Sequence, residues 1–217
     1  MANVSFKYLR HRLFYSTLAP ASRYARDRRM KQLLARMKVA PGHRIIDLGG
    51  MPETWAGIDI PLELTLLNRP GTSFGDLPSQ HKIDVIEGDA CDVPQFGADS
   101  FDMAFSNSVI EHVGDDSQQD RFAAEARRLG RSYWVQTPAI WFPIEPHTGM
   151  PFWFLYPERL RQHVIEGWRK KLPAWTEMVE ETRVLSRGRM EALFPDGQIF
   201  VERLGGIPKS YCAYRVR

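Results

Sequence analysis

Several features that identify other classes of protein are scarce or missing in this chain. Its 217 residues include two cysteines, Cys91 and Cys212, which are too few for a disulfide framework. No apolar run approaches the ~20 residues that span a bilayer, and basic residues interrupt any signal-peptide pattern at the start. A chain of this length can bury a core of its own. These absences predict one cytoplasmic domain.

Acidic residues are almost missing from the amino-terminal part of the chain. Between Lys7 and Lys38 the only acid is Asp27, against ten lysines and arginines, although the whole chain has a net charge of only +3. Such a block can bind nucleic acid, anionic lipid or an acidic substrate, or it can form the solvated face of a helix. No aromatic stacking platform is interleaved with it from Arg23 onward, which disfavours RNA.

Three apolar, strand-like segments end in small or polar residues. The first contains Asp47 and ends at Gly49-Gly50, the second ends at Asp89 and the third at Asn107. In an open α/β sheet, ligands lie beyond the carboxyl ends of the strands, and glycine lets a ligand approach the backbone. We therefore expect the three segments to converge on one crevice.

The hydrophobic pattern predicts alternating strands and helices with unusually short connections. Pro52 and Pro61 leave room for one helical turn at most after the first strand, and the link over 91–100 is also too short for a full crossover helix. Gly130 is predicted to stop the helix before the fifth strand. The predicted strands are His43–Leu48, Leu62–Leu67, Lys82–Glu87, Phe101–Ser106, Tyr133–Thr137, Gln198–Leu204 and Ser210–Val216, with Pro208 between the last two. The predicted helices are Tyr24–Met37, Asp116–Leu129 and Pro157–Trp168, followed by a helical region that ends near Phe194.

The ordered set of motifs resembles the class I S-adenosylmethionine (SAM)-dependent methyltransferases, in particular those of the type 11 kind. Asp47-Leu48-Gly49-Gly50 stands where that family has its first loop, Gly88-Asp89-Ala90 resembles the adenine-binding turn, and Ser106 to Val113 resembles the active-site loop. The resemblance implies an α/β, Rossmann-like, seven-stranded sheet. In that sheet most strands are parallel, the last strand is antiparallel, and the crossover helices here are shortened.

On this reading, residues 1–217 form a single methyltransferase domain. It comprises a basic helical extension over 1–40, a cofactor-binding core over 41–137, an acceptor loop with a helical cap over 138–195 and a carboxyl-terminal hairpin over 196–217. Whether the protein forms a homodimer stays open.

The resemblance also assigns cofactor-binding residues. This chain departs from the family pattern at the end of the second strand. The family usually has an acid there that holds the ribose, and this chain has Asn68. An amide can accept and donate but carries no charge, so we expect roughly 1–2 kcal/mol weaker SAM binding unless Glu53 or Asp59 helps. The residues assigned to the cofactor are Asp47, Gly49, Gly50, Asn68, Asp89, Ala90 and Asn107.

A nicotinamide-dependent dehydrogenase is the other Rossmann-type enzyme to consider. Its dinucleotide site needs Gly-x-Gly-x-x-Gly running into a helix, with an acid about 20 residues further on. Gly49-Gly50-Met51-Pro52 breaks that pattern, and Asn68 is neutral. The sequence therefore disfavours a dehydrogenase.

Two pairs of an acid and a histidine are the candidate catalytic groups. Glu111-His112 follows the fourth strand, and Glu145-Pro146-His147 lies in the aromatic loop after the fifth. A hydroxyl acceptor needs a base or a metal, because its pKa is near that of water at about 16, and histidine is the commonest general base. Which histidine acts stays open. The same four side chains are the candidate ligands of a divalent ion such as Mg²⁺.

An aromatic, proline-rich loop is the predicted acceptor wall, with Trp141, Phe142, Trp153 and Tyr156 as candidate contacts. Such rings pack on the apolar faces of a phenol or a sugar, and the segment is similar to small bacterial O-methyltransferases that modify sugars or cap polysaccharides. The sequence thus predicts O-methylation of a small molecule or saccharide, including a lipid-linked acceptor at a membrane surface. Two alternatives remain, an RNA methyltransferase that uses the basic helices and a non-catalytic partner with the same fold.

Overall fold

A sheet of seven strands organises residues 40–217, in the order β3-β2-β1-β4-β5-β7-β6. The computed structural model describes residues 26–144, 148 and 150–217. Strands β1 to β5 run parallel, whereas β7 is antiparallel to both β5 and β6. This order confirms the predicted fold class. The strands are β1 Arg44–Leu48, β2 Glu63–Asn68, β3 Lys82–Glu87, β4 Phe101–Asn107, β5 Gly130–Pro138, β6 Gln198–Leu204 and β7 Ile207–Arg215.

Five helices lie in the described part of the chain. The chain divides into two compact units, Met1–Val39 and Ala40–Arg217. Helix α1 covers residues 26–37 of the first unit. The second unit contains α2 Asp116–Leu129, α3 Glu158–Arg169, α4 Pro173–Glu181 and α5 Arg187–Leu193. None of the helices within the described residues has the length and apolar character that a membrane span needs.

The connections from β1 to β4 are short, as the sequence predicts. All three are described in full, and none contains an α-helix; a 3-10 turn at Pro52–Thr54 stands in place of the first crossover helix. Strand β3 forms the edge of the sheet, and four of its six side chains are exposed. Strands β1 to β4 are therefore joined by loops and one 3-10 turn.

Helix α2 packs on the opposite part of the sheet. The side chain of Asp115 caps it by accepting from the Gln118 N–H at 3.0 Å, which satisfies one of the first-turn donors. Phe122, Ala126 and Leu129 recur at helical spacing and are fully buried in the main core. That core joins β1, β4, β5 and β7 to α2 and α5.

Gly130 does not stop α2 in the way the sequence predicts. A glycine helix stop usually has left-handed backbone angles, but Gly130 is extended, with φ −104° and ψ 137°, and is the first residue of β5. A Cβ at this position would lie 2.3 Å from the backbone nitrogen of Ala104 and the carbonyl oxygen of Ser132. The glycine is needed because β4 approaches the start of β5 so closely.

The carboxyl-terminal hairpin forms as predicted, with one correction. Gly205 and Gly206 make the turn with φ of +57° and +82°, the left-handed region that tight hairpins need. Pro208 was expected in the link but lies inside β7. It pairs with Arg203 next to a register shift that leaves Lys209 of β7 as an extra residue, and a bulge is where a strand tolerates the missing N–H of proline.

Candidate active site at the carboxyl ends of the strands

Asp47 lies inside the protein, directly beneath the loop after β1 that carries Gly49 and Gly50, called the glycine loop below. Its side chain is 2% exposed, and its Oδ2 accepts from the indole Nε1 of Trp55 at 2.8 Å. Burial raises the pKa of this carboxyl to about 7, although the hydrogen bond from Trp55 acts in the opposite direction. A Cβ on Gly50 would lie 2.7 Å from the Cβ of Asp47. Asp47 therefore supports the loop from within the fold.

Gly49 is required by the packing of the protein itself. Its φ is +80°, and a Cβ there would lie 2.5 Å from Cγ2 of Val109 in the loop after β4. Its N–H donates to the carbonyl of Leu67 on β2 at 2.8 Å. The loops after β1 and β4 thus touch at a position where only glycine fits.

Asn68 uses both ends of its amide on the protein. The Nδ2 group lies 3.1 Å from the carbonyl oxygen of Gly50 and 3.7 Å from the sulfur of Met51. The Oδ1 atom accepts from the backbone N–H of Arg69 at 2.8 Å and lies 3.3 Å from the hydroxyl of Thr72. A side-chain amide has two N–H donors and one oxygen with two lone pairs. Asn68 therefore ties the end of β2 to the glycine loop.

The turn after β3 presents Asp89 to solvent and keeps Ala90 partly buried. One carboxylate oxygen of Asp89 accepts from the N–H of Cys91 at 2.8 Å, which closes the turn. Burial raises the pKa of the Cys91 thiol to about 12, and Asp89 adds to the rise, while the charges of Arg121 and Arg69 act against it. The field of the Arg69 guanidinium therefore reaches this turn.

The end of β4 is fixed by polar links to both neighbouring strands. The hydroxyl of Ser106 donates to the carbonyl of Leu48 on β1 at 2.9 Å. Ser108 has a φ of +57°, which is uncommon for a residue other than glycine. Its N–H and its hydroxyl both bond to Gln136 of β5 at 3.0 Å. Asn107 is held between these two anchors and is partly exposed.

Glu111 and His112 are neighbours in sequence, but their side chains have different partners. Glu111 is completely buried, and its Oε2 accepts from the hydroxyl of Thr137 at 3.1 Å. The partly exposed ring of His112 places Nδ1 3.3 Å from the hydroxyl of Thr182. The carbonyl of His112 accepts from Nη2 of Arg69 at 3.3 Å. Of the two, His112 is the group that an external acceptor can approach.

The second predicted pair, Glu145 and His147, lies outside the described residues. Across residues 26–144, 148 and 150–217, no three His, Cys, Asp or Glu side chains cluster closely enough to hold a metal ion. The described residues therefore supply no complete metal site, and the four candidate ligands stay predictions.

The four aromatic side chains predicted to contact the acceptor differ in their surroundings. Trp141 is 62% exposed and Trp153 is 5% exposed, while Phe142 and Tyr156 are partly buried. Trp153 stacks on Trp168 of α3, with ring centroids 5.3 Å apart, and lies 5.8 Å from Tyr156. Trp153 thus belongs to the interior of the cap, and Trp141 is the ring that faces solvent.

Sequence reasoning did not single out four side chains that shape this region: Trp55, Arg69, Gln136 and Trp168. Trp55 lies in the link after β1, where the sequence predicts a shortened or missing helix. Trp168 lies in the last turn of α3. Arg69 could have been noticed in the sequence, because this cation directly follows Asn68, the position at which the resembling family usually has an acid.

The family model described as a methyltransferase domain matches residues 53–132. Two curated relatives are the uncharacterized proteins of Mycobacterium tuberculosis strains H37Rv and CDC 1551. Both are 31% identical to this chain over 166 residues, which are 69% of this chain and 54% of the relatives. The chain thus spans about half the length of the curated relatives that it matches.

Solved structures with low sequence identity share the fold. A Rhodobacter sphaeroides protein described as a zinc-dependent alcohol dehydrogenase has a TM-score of 0.56 and 15% identity, covering 88% of this chain and 89% of that one. The PH0226 protein of Pyrococcus horikoshii has a TM-score of 0.52 and 13% identity, covering 98% and 92%. A chain from the Haloferax volcanii complex of a methyltransferase with its Trm112 activator has a TM-score of 0.50 and 14% identity, covering 94% and 96%.

These likenesses show the fold, and the methyltransferase-domain model matches part of it, residues 53–132. The sheet order, the left-handed Gly49 turn after β1 and the matched methyltransferase domain agree with one another. Residues 53–132 thus match a methyltransferase domain and lie within a seven-stranded, Rossmann-like sheet.

Proposed function

We propose that this protein transfers the methyl group of SAM to a hydroxyl of a small-molecule or saccharide acceptor. The observation that carries the proposal is the joining of the loops after β1, β2 and β4 at one edge of the sheet. Gly49 contacts Val109, Asn68 contacts Gly50, and Arg69 contacts His112. Ligands of open α/β sheets bind at this edge.

The residues at this edge suit the polar parts of SAM. The exposed carboxylate of Asp89 would accept a hydrogen bond from the adenine amino group. Asn107, Ala90 and the backbone of the glycine loop would line the nucleoside, with Asp47 supporting that loop from beneath. Bound SAM supplies a methyl carbon that is already activated toward a nucleophile. The protein then has to position the acceptor and exclude water.

A hydroxyl acceptor also has to lose its proton. The ring of His112 lies at the same edge and is partly exposed, so it would accept that proton, with His147 as the second candidate. The buried carboxylate of Glu111 holds Thr137 and fixes the turn that carries His112, and Glu145 would act likewise beside His147. The exposed ring of Trp141, with Phe142, Trp153 and Tyr156, would form the acceptor side. We further propose that the protein acts in the cytoplasm, including on lipid-linked acceptors.

Calorimetric titration of the full chain with S-adenosylhomocysteine tests the cofactor part of this proposal. We expect saturable binding with one site per chain. A ligand at 100 times its dissociation constant also stabilises a protein by ~2.7 kcal/mol, so thermal unfolding gives an independent readout. Absence of both signals would leave the fold without the proposed activity.

The catalytic part is tested with His112→Ala and His147→Ala in a methyl-transfer assay against a panel of phenols and sugars. The variant that lacks the true base should bind the cofactor normally and turn over roughly 10²–10⁴-fold more slowly. His163→Ala, an exposed histidine on α3, is the matched control. Unchanged turnover in a variant removes that histidine from the mechanism.

A further inference from the structure

The side-chain amide at the end of β2 is already engaged with the protein. Nδ2 of Asn68 has both of its partners within the glycine loop, and Oδ1 accepts from the N–H of Arg69 at 2.8 Å. The hydroxyl of Thr72 lies 3.3 Å from Oδ1 and donates to the carbonyl of Arg69 at 2.7 Å. Because a ribose that used Nδ2 would have to displace contacts that hold the loop, the site favours a second partner for the sugar.

Arg69, the next residue, reaches across the crevice. Its Nη2 donates to the carbonyl of His112 at 3.3 Å, so the side chain runs from the end of β2 to the loop after β4. Strand β1 lies between β2 and β4 in the sheet. The guanidinium consequently passes over the end of β1, which is where the Gly49 turn lies.

The charge of Arg69 also acts on the turn after β3. It lowers the pKa of the Cys91 thiol, against the larger effect of burial, and Cys91 follows Asp89 and Ala90 directly. The positive charge at Arg69 thus acts on the turn after β3, while its guanidinium bonds to the loop after β4. A guanidinium has five N–H donors and no acceptor.

We propose that Arg69 is a specificity-determining residue that binds the sugar of the nucleoside, in place of an acid at position 68. The inference rests on the proposed cofactor site. A carboxylate at this position would accept hydrogen bonds from the two ribose hydroxyls and would repel a phosphate. A guanidinium donates to the ribose oxygens instead and attracts a phosphate on the 2′ or 3′ oxygen, because charged N–H···O pairs are the strong ones.

The inference is tested by comparing the affinity for adenosine with the affinity for adenosine phosphorylated on its ribose. We expect the unmodified protein to bind adenosine 2′-monophosphate or adenosine 3′-monophosphate roughly tenfold more tightly than adenosine, measured by calorimetry at fixed salt. Arg69→Gln should abolish this preference and weaken S-adenosylhomocysteine roughly tenfold. Arg69→Lys should keep part of the phosphate preference, because it keeps the charge and loses the planar fork.

Two further variants complete the experiment. Arg187→Gln removes an exposed arginine that pairs with Glu191 on α5 and should leave all four affinities unchanged. Asn68→Asp restores the acid that is usual in the family but places a carboxylate beside the carbonyl of Gly50. We expect it to weaken S-adenosylhomocysteine, whereas a gain in affinity would show that position 68 binds the ribose.

The outcomes separate this inference from the proposed function. If the unmodified protein does not bind S-adenosylhomocysteine, the proposed function fails first. If it binds, the inference is overturned by any of three results: adenosine binding as tightly as both phosphates, a phosphate preference that survives Arg69→Gln, or tighter binding of S-adenosylhomocysteine by Asn68→Asp. Thermal unfolding of each variant checks that folding is intact, since loss of an exposed hydrogen bond changes stability little.

Discussion

The two sides of the sheet are held together by different means. On the side of β1, β2 and β3, no α-helix connects the strands in these fully described segments, and polar side chains such as Asn68 and Asp47 link the loops. On the side of β4, β5 and β7, helix α2 buries a continuous apolar face. Both parts bury apolar strand side chains; the difference is that directed hydrogen bonds link the loops in the proposed cofactor half, whereas a helix covers the other half.

This contrast makes different kinds of substitution harmful on the two sides. Hydrogen bonds are directional, so one lost partner leaves a buried polar group unpaired. Apolar packing is less directional, so conservative changes of shape are tolerated and cavities are not. Three substitutions sharpen the comparison, taken from the largest expected effect to the smallest.

Phe122→Ala tests the side held by burial. Phe122 is completely buried on α2, and truncating such a ring leaves a cavity that its neighbours fill only in part. We expect a loss of about 3–5 kcal/mol in the free energy of unfolding, measured in urea. Phe122→Leu should lose less than half as much. Equal losses for both would show that shape, and not buried volume, governs this core.

Arg128→Ala tests the hydrogen bonds that join α2 to the link after β3, called the polar staple here. Arg128 donates to the carbonyls of Phe96 at 2.6 Å and Val93 at 2.9 Å, and it binds both carboxylate oxygens of Glu125. Removing it takes away four hydrogen bonds, although Glu125 keeps the N–H of Val93, and we expect a loss of about 3 kcal/mol in urea unfolding. The exposed Arg187→Ala is the control, at roughly 0.5 kcal/mol. Similar losses for both would contradict the staple.

Asp47→Asn tests the buried carboxyl under the glycine loop. Its pKa is about 7 in the folded protein against an ordinary 3.8. Between these values the folded state holds a proton that the unfolded state has released, so stability falls as pH rises from about 4 to 7. Asparagine keeps an acceptor for Trp55 and removes the titration. The variant should therefore gain on the order of 2–3 kcal/mol relative to the parent between pH 5 and pH 8.

Thermal unfolding of parent and variant at several pH values measures this difference. Groups other than Asp47 titrate equally in both proteins and cancel in the comparison. A stability difference that does not change with pH would mean that the Asp47 carboxyl titrates at its ordinary value.

Strand positions were predictable because burial imposes a simple pattern. Three patterns follow from local structure alone. They are the apolar run of β1, the helical spacing of Phe122, Ala126 and Leu129, and the glycines of the hairpin turn. The helix end at Gly130 is as predicted but has a different physical reason, and Pro208 was placed wrongly; at both positions strand pairing sets the requirement. Gly130 is needed because Ala104 lies against it, and Pro208 is tolerated because Lys209 beside it is an extra residue at a register shift in the pairing with β6.

Among the site residues, sequence order indicated which strand ends meet but not which atoms are engaged. Asn68 reads as a ribose contact in the sequence, and the fold shows its amide bonded to the glycine loop. Glu111 and His112 are adjacent in the chain, yet one side chain is buried on Thr137 and the other reaches Thr182. Such partners are distant in sequence, so no local pattern records them.

The sequence by itself determined the order of strands and helices and the missing crossover helices, because hydrophobic period and turn residues act locally. Only the tertiary structure decided that Arg69 crosses the end of β1 and that Asp47 is shut inside the fold. Both depend on which loops meet in space, and side-chain bonds between segments far apart in the chain bring those loops together.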